Sequence, residues 1–201
     1  NEFFEDFKKK YLDRTAYLRG DYKFIIDKLP ENFLFIGYLS KILPGSKIIR
    51  TFRDPWDAAI SLYKQRYVTN IPYSASFFNI GVFMSNFEAI NIFWNDQMKT
   101  NDSILDIKYE DLVSNTDLYQ KEIYQFLGIE SDFNEEKRKA FFSQTASIRQ
   151  IGADVHTKSI EKKEFLDHKN EFYDALIMQR KYWEKRGFEY KSDTFFGYKL
   201  G

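Results

Sequence analysis

Residues 47–65 read KIIRTFRDPWDAAISLYKQ, a strand pattern followed at once by a helix signal. The apolar, β-branched run at 47–52 predicts a strand. Asp54 as N-cap and Pro55 at the first helical position predict a helix through the rest of the stretch. Arg53 therefore lies between the end of a strand and the start of a capped helix.

Strands and helices alternate along the chain, which predicts an α/β fold with a parallel sheet in a three-layer sandwich. In such folds ligands lie beyond the carboxyl ends of the strands, so we expect Lys28, Arg53 and Tyr109 on one rim. No linker or repeat divides residues 1–201, and we expect one domain.

Besides 47–52, strands are predicted at 22–26 and 103–109. Helices are predicted before residue 22 and at 30–43, 54–65, 80–94, 116–127, 135–142 and 171–186.

The composition limits the possible functions. Thirty basic and thirty acidic residues cancel, which argues against a nucleic-acid-binding surface. The chain has no cysteine and only two histidines, His156 and His168, so we expect no metal centre. No apolar run is long enough to span a membrane, and no signal peptide is evident. We therefore expect a soluble cytoplasmic protein.

Arg53 and Ser61 form a candidate anion pocket. A guanidinium fixed at a strand end can grip a phosphate through two hydrogen bonds. Ser61 lies about two turns into the predicted helix, where its hydroxyl can donate to the same anion. The alternative is that Arg53 pairs with Asp54 or Asp57 and that Ser61 is only a small residue facing the sheet.

The stretch from Arg53 to Tyr63 resembles the 3′-phosphate-binding motif of sulfotransferases that use 3′-phosphoadenosine 5′-phosphosulfate (PAPS). Three further landmarks, at 27–33, 109–112 and 145–150, follow in the same order as in bacterial sulfotransferases related to the tyrosylprotein enzymes. The resemblance implies a P-loop nucleoside triphosphate hydrolase-like fold. It also implies sulfuryl transfer from PAPS to a hydroxyl or amine of a small-molecule, peptide or carbohydrate acceptor, with adenosine 3′,5′-bisphosphate as the second product.

The resemblance also assigns roles in donor binding. Arg53 and Ser61 would bind the 3′-phosphate, and Gln65, one turn later, would assist. Tyr109 corresponds to a tyrosine at the adenine end of the donor, where an uncharged ring can stack. Lys158 lies near a family lysine that approaches the 3′-phosphate.

Two catalytic roles follow in the same way. Lys28 matches a lysine near the transferring sulfuryl group, where an ammonium stabilises charge on the bridging oxygen. Ser147 lies where related enzymes place a serine near the sulfate. On sequence alone, a lysine such as Lys28 after a strand is usually a solvated rim residue.

The loop that binds the 5′-phosphosulfate in complete sulfotransferases has no counterpart here, since none of the nine glycines lies in a phosphate-loop pattern. We expect this loop, and the glutamate that acts as base, upstream of Asn1. The chain is then part of an enzyme, incomplete for catalysis by itself. The alternatives are a non-catalytic remnant that binds a nucleotide or anion, and a P-loop nucleotide kinase-like protein.

Overall fold

Two parallel strands, β1 and β2, form a small sheet, and helices come before, between and after them in the described chain. The computed structural model describes residues 2–65, 71–98, 102–130 and 162–200. The helices are α1 (Glu2–Arg19), α2 (Ile36–Ile42), α3 (Pro55–Lys64), α4 (Phe77–Gln97), α5 (Tyr109–Ser114), α6 (Thr116–Leu127) and α7 (Lys169–Glu184). The strands are β1 (Ile48–Phe52), β2 (Ile104–Lys108), β3 (Thr194–Phe195) and β4 (Tyr198–Lys199). Short 3-10 helices lie at Pro30–Phe35, Pro72–Ala75 and Lys162–His168.

Strands β1 and β2 confirm two of the predicted strands and their parallel pairing. Ile48 lies opposite Ile104, and Arg50 lies opposite Asp106. The Arg50 guanidinium donates two hydrogen bonds of 2.6 Å to the Asp106 carboxylate and one of 3.1 Å to Asn91 on α4. These bonds satisfy a buried charge and fix the two strands to α4.

Helix α3 begins as the sequence predicts. The Asp54 carboxylate accepts a 3.0 Å hydrogen bond from the backbone N–H of Asp57, and Pro55 is the first helical residue. A side-chain cap of this kind contributes about 1 kcal/mol. The cap fixes where the helix begins. It therefore also fixes the position of Arg53, between the end of β1 and the start of α3.

The core lies where α3, α4 and α7 meet. Gly81 on α4 lets the two long helices approach closely, because a Cβ there would collide with the carbonyl oxygen of Phe172 on α7. The Arg180 guanidinium on α7 donates hydrogen bonds of 2.8 and 2.6 Å to the buried Glu88 on α4. The buried core residues are Trp56, Ala59, Ile60, Phe77, Ile80, Met84, Phe172, Tyr173, Leu176 and Phe195.

The prediction of a strand at 22–26 is wrong. Residues 22–29 form no helix or strand, and the side chains of 21–30 are exposed. Apolar and aromatic content favours a strand only where a neighbouring strand can pair with it, and within the described residues no strand pairs with this run. The helix predicted to start at Pro30 is present as a 3-10 turn followed by α2.

A two-residue hairpin, β3 and β4, lies near the end of the described chain and was not predicted. Phe196 and Gly197 at its tip both have positive φ, 47° and 84°, as a tight hairpin turn requires. The Phe196 ring stacks on Phe52 at 4.1 Å between ring centres. The hairpin therefore packs against the carboxyl end of β1.

The predicted helix at 135–142 lies outside the described residues, whereas the helices predicted at 80–94, 116–127 and 171–186 are confirmed as α4, α6 and α7. The described residues have a parallel α/β arrangement with more helix than strand. None of the helices in this part of the chain is long and apolar enough to cross a membrane.

Candidate anion-binding site

Arg53 lies between the last residue of β1 and the N-cap of α3. Its guanidinium carbon is 5.0 Å from the centre of the Tyr109 ring. The Nε atom is buried and has no hydrogen-bond partner. Because leaving a buried charged donor unpaired is costly, this atom is chemically suited to an acceptor oxygen from outside the described residues.

Among the described residues, the neighbouring carboxylates Asp54 and Asp57 form no ion pair with Arg53. The Asp54 carboxylate caps α3 through Asp57 N–H. Within the described residues Arg53 forms no ion pair. In this part of the chain, no carboxylate takes up the guanidinium donors of Arg53.

Tyr109 begins α5 directly after β2, so it lies at the same end of the sheet as Arg53. Its side chain is half-exposed and lies against the guanidinium. The structure thus brings together Arg53 and Tyr109, which are 56 residues apart in the sequence.

Ser61 and Gln65 lie farther along α3. The Ser61 side chain is half-buried, and its hydroxyl makes no hydrogen bond within the described residues. Gln65 is exposed at the C-cap, where its N–H donates to the Ser61 carbonyl at 3.1 Å. No hydrogen bond joins the side chains of Ser61 and Arg53 in this part of the chain.

Lys28 is exposed and lines a cavity of about 540 Å³ beside β1. The cavity is also lined by Ile49 and Thr51. Lys28 was expected on the same rim as Arg53 because a strand was predicted directly before it. No strand precedes Lys28, so that argument is wrong. No hydrogen bond, ion pair or ring contact within the described residues joins Lys28 to Arg53 or Tyr109.

Glu110, the residue after Tyr109, connects three parts of the site. Its Oε1 accepts a 3.1 Å hydrogen bond from Asp54 N–H, and its Oε2 accepts one from the Tyr198 hydroxyl on β4. Burial raises the pKa of Glu110. The two hydrogen bonds and the Arg53 charge together lower the pKa by more than burial raises it, so the pKa of Glu110 lies below its ordinary value. The carboxylate is therefore held ionised beside Arg53.

A family model described as "Sulfotransferase family" matches residues 1–135, about two thirds of the chain. The chain belongs to the sulfotransferase family. This membership implies a P-loop-like α/β fold, with which the parallel pair β1 and β2 agrees.

The chain is also similar to an uncharacterized protein of Aquifex aeolicus, 28% identical over 160 residues. The match covers 76% of this sulfotransferase-family chain but only 20% of the Aquifex protein. The chain therefore spans about a fifth of the length of that relative.

Two residues that the sequence assigns to the sulfotransferase site, Ser147 and Lys158, lie outside the described residues. Sequence reasoning missed the roles of Glu110 and Tyr198. Glu110 belongs to the Tyr-Glu-Asp-Leu landmark at 109–112, which is a local signal, but its partner Tyr198 is 88 residues away. Within the described chain, no three metal-ligating side chains gather into a candidate metal site.

Proposed function

We propose that this sulfotransferase-family chain binds PAPS through its 3′-phosphate and serves sulfuryl transfer to a hydroxyl or amine acceptor. The observation that carries the proposal is the buried, unpartnered Nε of Arg53 beside Tyr109. A phosphate would supply the missing acceptor, and a planar guanidinium can bind two phosphate oxygens at once.

The neighbouring side chains suit the rest of the nucleotide. Tyr109 offers a ring face to the adenine end of the donor, since every base can stack on an aromatic side chain. The Ser61 hydroxyl, which lacks a partner in the described chain, is a further phosphate donor. Gln65 and Lys158 are proposed as additional contacts to the 3′-phosphate.

The transfer step requires positioning and charge stabilisation more than covalent chemistry. The acceptor oxygen or nitrogen attacks sulfur in line and forms a new bond to it. The bond from sulfur to the 5′-phosphate oxygen breaks, and adenosine 3′,5′-bisphosphate leaves with the bonding electrons. The acceptor proton passes to a carboxylate base, which we place outside residues 1–201. Lys28 and Ser147 are proposed to stabilise the charge near the sulfuryl group.

The edge of β1 that faces away from β2 offers a position for the strand that would carry the 5′-phosphosulfate loop. Ile48 N–H donates to the Ser103 carbonyl at 2.7 Å, so alternate residues of β1 bond to β2. The backbone groups of Ile49 and Thr51 point to the other edge, toward the cavity that Lys28 lines. Within the described residues no strand pairs there. We propose that a strand from sequence outside residues 1–201 pairs along this edge and carries the loop.

Amide hydrogen exchange on the intact protein tests this placement. If an added strand pairs with β1, the amides of Ile49 and Thr51 exchange as slowly as those of Arg50 and Phe52. Fast exchange at Ile49 and Thr51 alone would contradict the proposed strand and leave the 3′-phosphate site unaffected.

Calorimetry and a transfer assay on the intact protein test the function. We expect adenosine 3′,5′-bisphosphate to bind far more tightly than AMP, and PAPS to be converted to adenosine 3′,5′-bisphosphate in the presence of an acceptor. Tight binding without conversion would favour the non-catalytic binding module. A magnesium-dependent response to ATP, with no preference for the 3′-phosphate, would favour the kinase-like alternative.

A further inference from the structure

Glu110 uses both carboxylate oxygens to connect the start of α3 to the C-terminal hairpin. Oε1 accepts from Asp54 N–H at 3.1 Å, and Oε2 accepts from the Tyr198 hydroxyl. The backbone N–H of Asp54 belongs to the peptide unit that joins Arg53 to Asp54. A hydrogen bond to that N–H orients this peptide plane, and with it the backbone from which the Arg53 side chain projects.

The Tyr198 hydroxyl is held in place by contacts of the hairpin with the strand ends. Lys108 Nζ, at the end of β2, lies 4.9 Å from the centre of the Tyr198 ring. The neighbouring Phe196 stacks on Phe52 at the end of β1. The hydroxyl also lies 3.4 Å from the Phe52 carbonyl oxygen. Tyr198 is thus fixed to the carboxyl ends of both strands.

The same contacts explain why Glu110 does not neutralise Arg53. Both oxygens of Glu110 accept hydrogen bonds from other groups, and within the described residues Arg53 forms no ion pair. The carboxylate therefore contributes a nearby negative charge that favours the guanidinium position, without occupying its donors. Within the described residues these donors are not taken up by a carboxylate.

We propose that Glu110 and Tyr198 act as a positioning pair that sets the Arg53 guanidinium for the 3′-phosphate. This role rests on the proposed function, because it requires that Arg53 bind that phosphate. Neither residue needs to touch the nucleotide. Each acts through the Asp54 peptide.

The test compares Tyr198→Phe and Glu110→Gln with the wild-type intact protein, by calorimetry with adenosine 3′,5′-bisphosphate and with AMP. Tyr198→Phe removes only the hydroxyl, and we expect about a tenfold loss of affinity for the bisphosphate with the affinity for AMP unchanged. General destabilisation would weaken the binding of both nucleotides. Tyr190→Phe is the matched control, since it removes a half-buried tyrosine hydroxyl that lies 3.5 Å from Ser85, away from the site.

A pH series adds a readout that separates positioning from packing. Loss of the Tyr198 hydrogen bond removes one of the interactions that keep Glu110 ionised, so affinity for the bisphosphate should begin to fall at a higher pH in Tyr198→Phe than in wild type. Tyr190→Phe should keep the wild-type profile. The charged and titratable groups near Glu110 are Arg53, Asp54, Lys108, Asp111 and Tyr198.

The outcomes distinguish this role from the function on which it rests. Equal wild-type affinity for the bisphosphate and AMP would overturn the proposed function, and the positioning role with it. Suppose that the wild type prefers the bisphosphate to AMP, that Tyr198→Phe and Glu110→Gln both retain this preference, and that the pH profile does not shift. This result would overturn the positioning role alone.

Discussion

The guanidinium of Arg53 lies over the ring of Tyr109, with 5.0 Å between the guanidinium carbon and the ring centre. Each residue follows the last residue of a parallel strand, and the pairing of β1 with β2 places these ends side by side. An arginine on a tyrosine face is stabilised by about 0.5–1 kcal/mol at an exposed site. The contact holds the charge at the strand ends without using its hydrogen-bond donors.

Arg53→Met should reduce affinity for adenosine 3′,5′-bisphosphate by about 10- to 100-fold, because it removes charged hydrogen bonds to the 3′-phosphate. Isothermal titration calorimetry measures the effect. Arg186→Met is a matched control, since Arg186 also lies on a tyrosine ring, that of Tyr182, at 3.5 Å, but is exposed and lies just beyond the end of α7. Equal affinities in the two variants would contradict the assignment of Arg53.

Tyr109→Ala should weaken bisphosphate binding about fivefold through loss of the ring that supports Arg53. Tyr109→Phe should bind as wild type does, because the ring is kept. Fluorescence or calorimetric titration distinguishes the two variants. A loss of affinity in Tyr109→Phe as large as in Tyr109→Ala would show that the hydroxyl matters and the ring does not.

Glu88→Ala should lower the free energy of unfolding by about 3–5 kcal/mol, since it leaves the buried Arg180 without its carboxylate. Glu88 and Arg180 are 1% and 8% exposed, respectively. Urea denaturation measures the loss. Asp96→Ala, which removes an exposed partner of Lys191, is the control and should change stability by less than about 1 kcal/mol.

Gly81→Ala should destabilise the fold by about 1–3 kcal/mol, because the new methyl group would meet the Phe172 carbonyl and force α4 away from α7. Thermal unfolding reports the change. Val82→Ala, at the next position of α4 where the side chain is half-buried, is the control. A Gly81→Ala protein as stable as wild type would show that the two helices separate at little cost.

Glu110→Gln should lower stability more at about pH 7 than at about pH 3. The folded chain holds the pKa of Glu110 below its ordinary value of 4.5. The unfolded chain therefore binds the proton first as the pH falls. The contribution of the carboxylate is present above the ordinary value and is lost as the pH drops through the lower pKa of the folded state. Urea denaturation of wild type and variant across this range gives the difference, and a gap that stays constant with pH would contradict the argument.

Local signals in the sequence predicted the elements around Arg53. The Asp54 cap, Pro55 and the apolar run of β1 act over a few residues, so their outcome depends little on the rest of the chain. Gly128, which ends α6 with a φ of 65°, was predictable for the same reason. The strand ends then follow from the parallel pairing, and with them the meeting of Arg53 and Tyr109.

The features that sequence reasoning missed depend on distant partners. Residues 22–26 have the composition of a strand but no described partner, so local propensity gave the wrong result. The hairpin at Thr194–Lys199 is short, and its tip places Phe196 at a positive φ, which its residue type does not suggest. The contact of Tyr198 with Glu110 joins residues 88 positions apart, and no spacing rule indicates such a pair.

The order of synthesis gives the Tyr198 contact a further meaning. On the ribosome, β1, α3 and Glu110 emerge before residue 198, so the Glu110 carboxylate gains its hydrogen bond from Tyr198 only after the hairpin has been made. A nascent chain paused in between would contain Arg53 and Ser61, the residues proposed to bind the 3′-phosphate, and still lack the hydroxyl that hydrogen-bonds to Glu110.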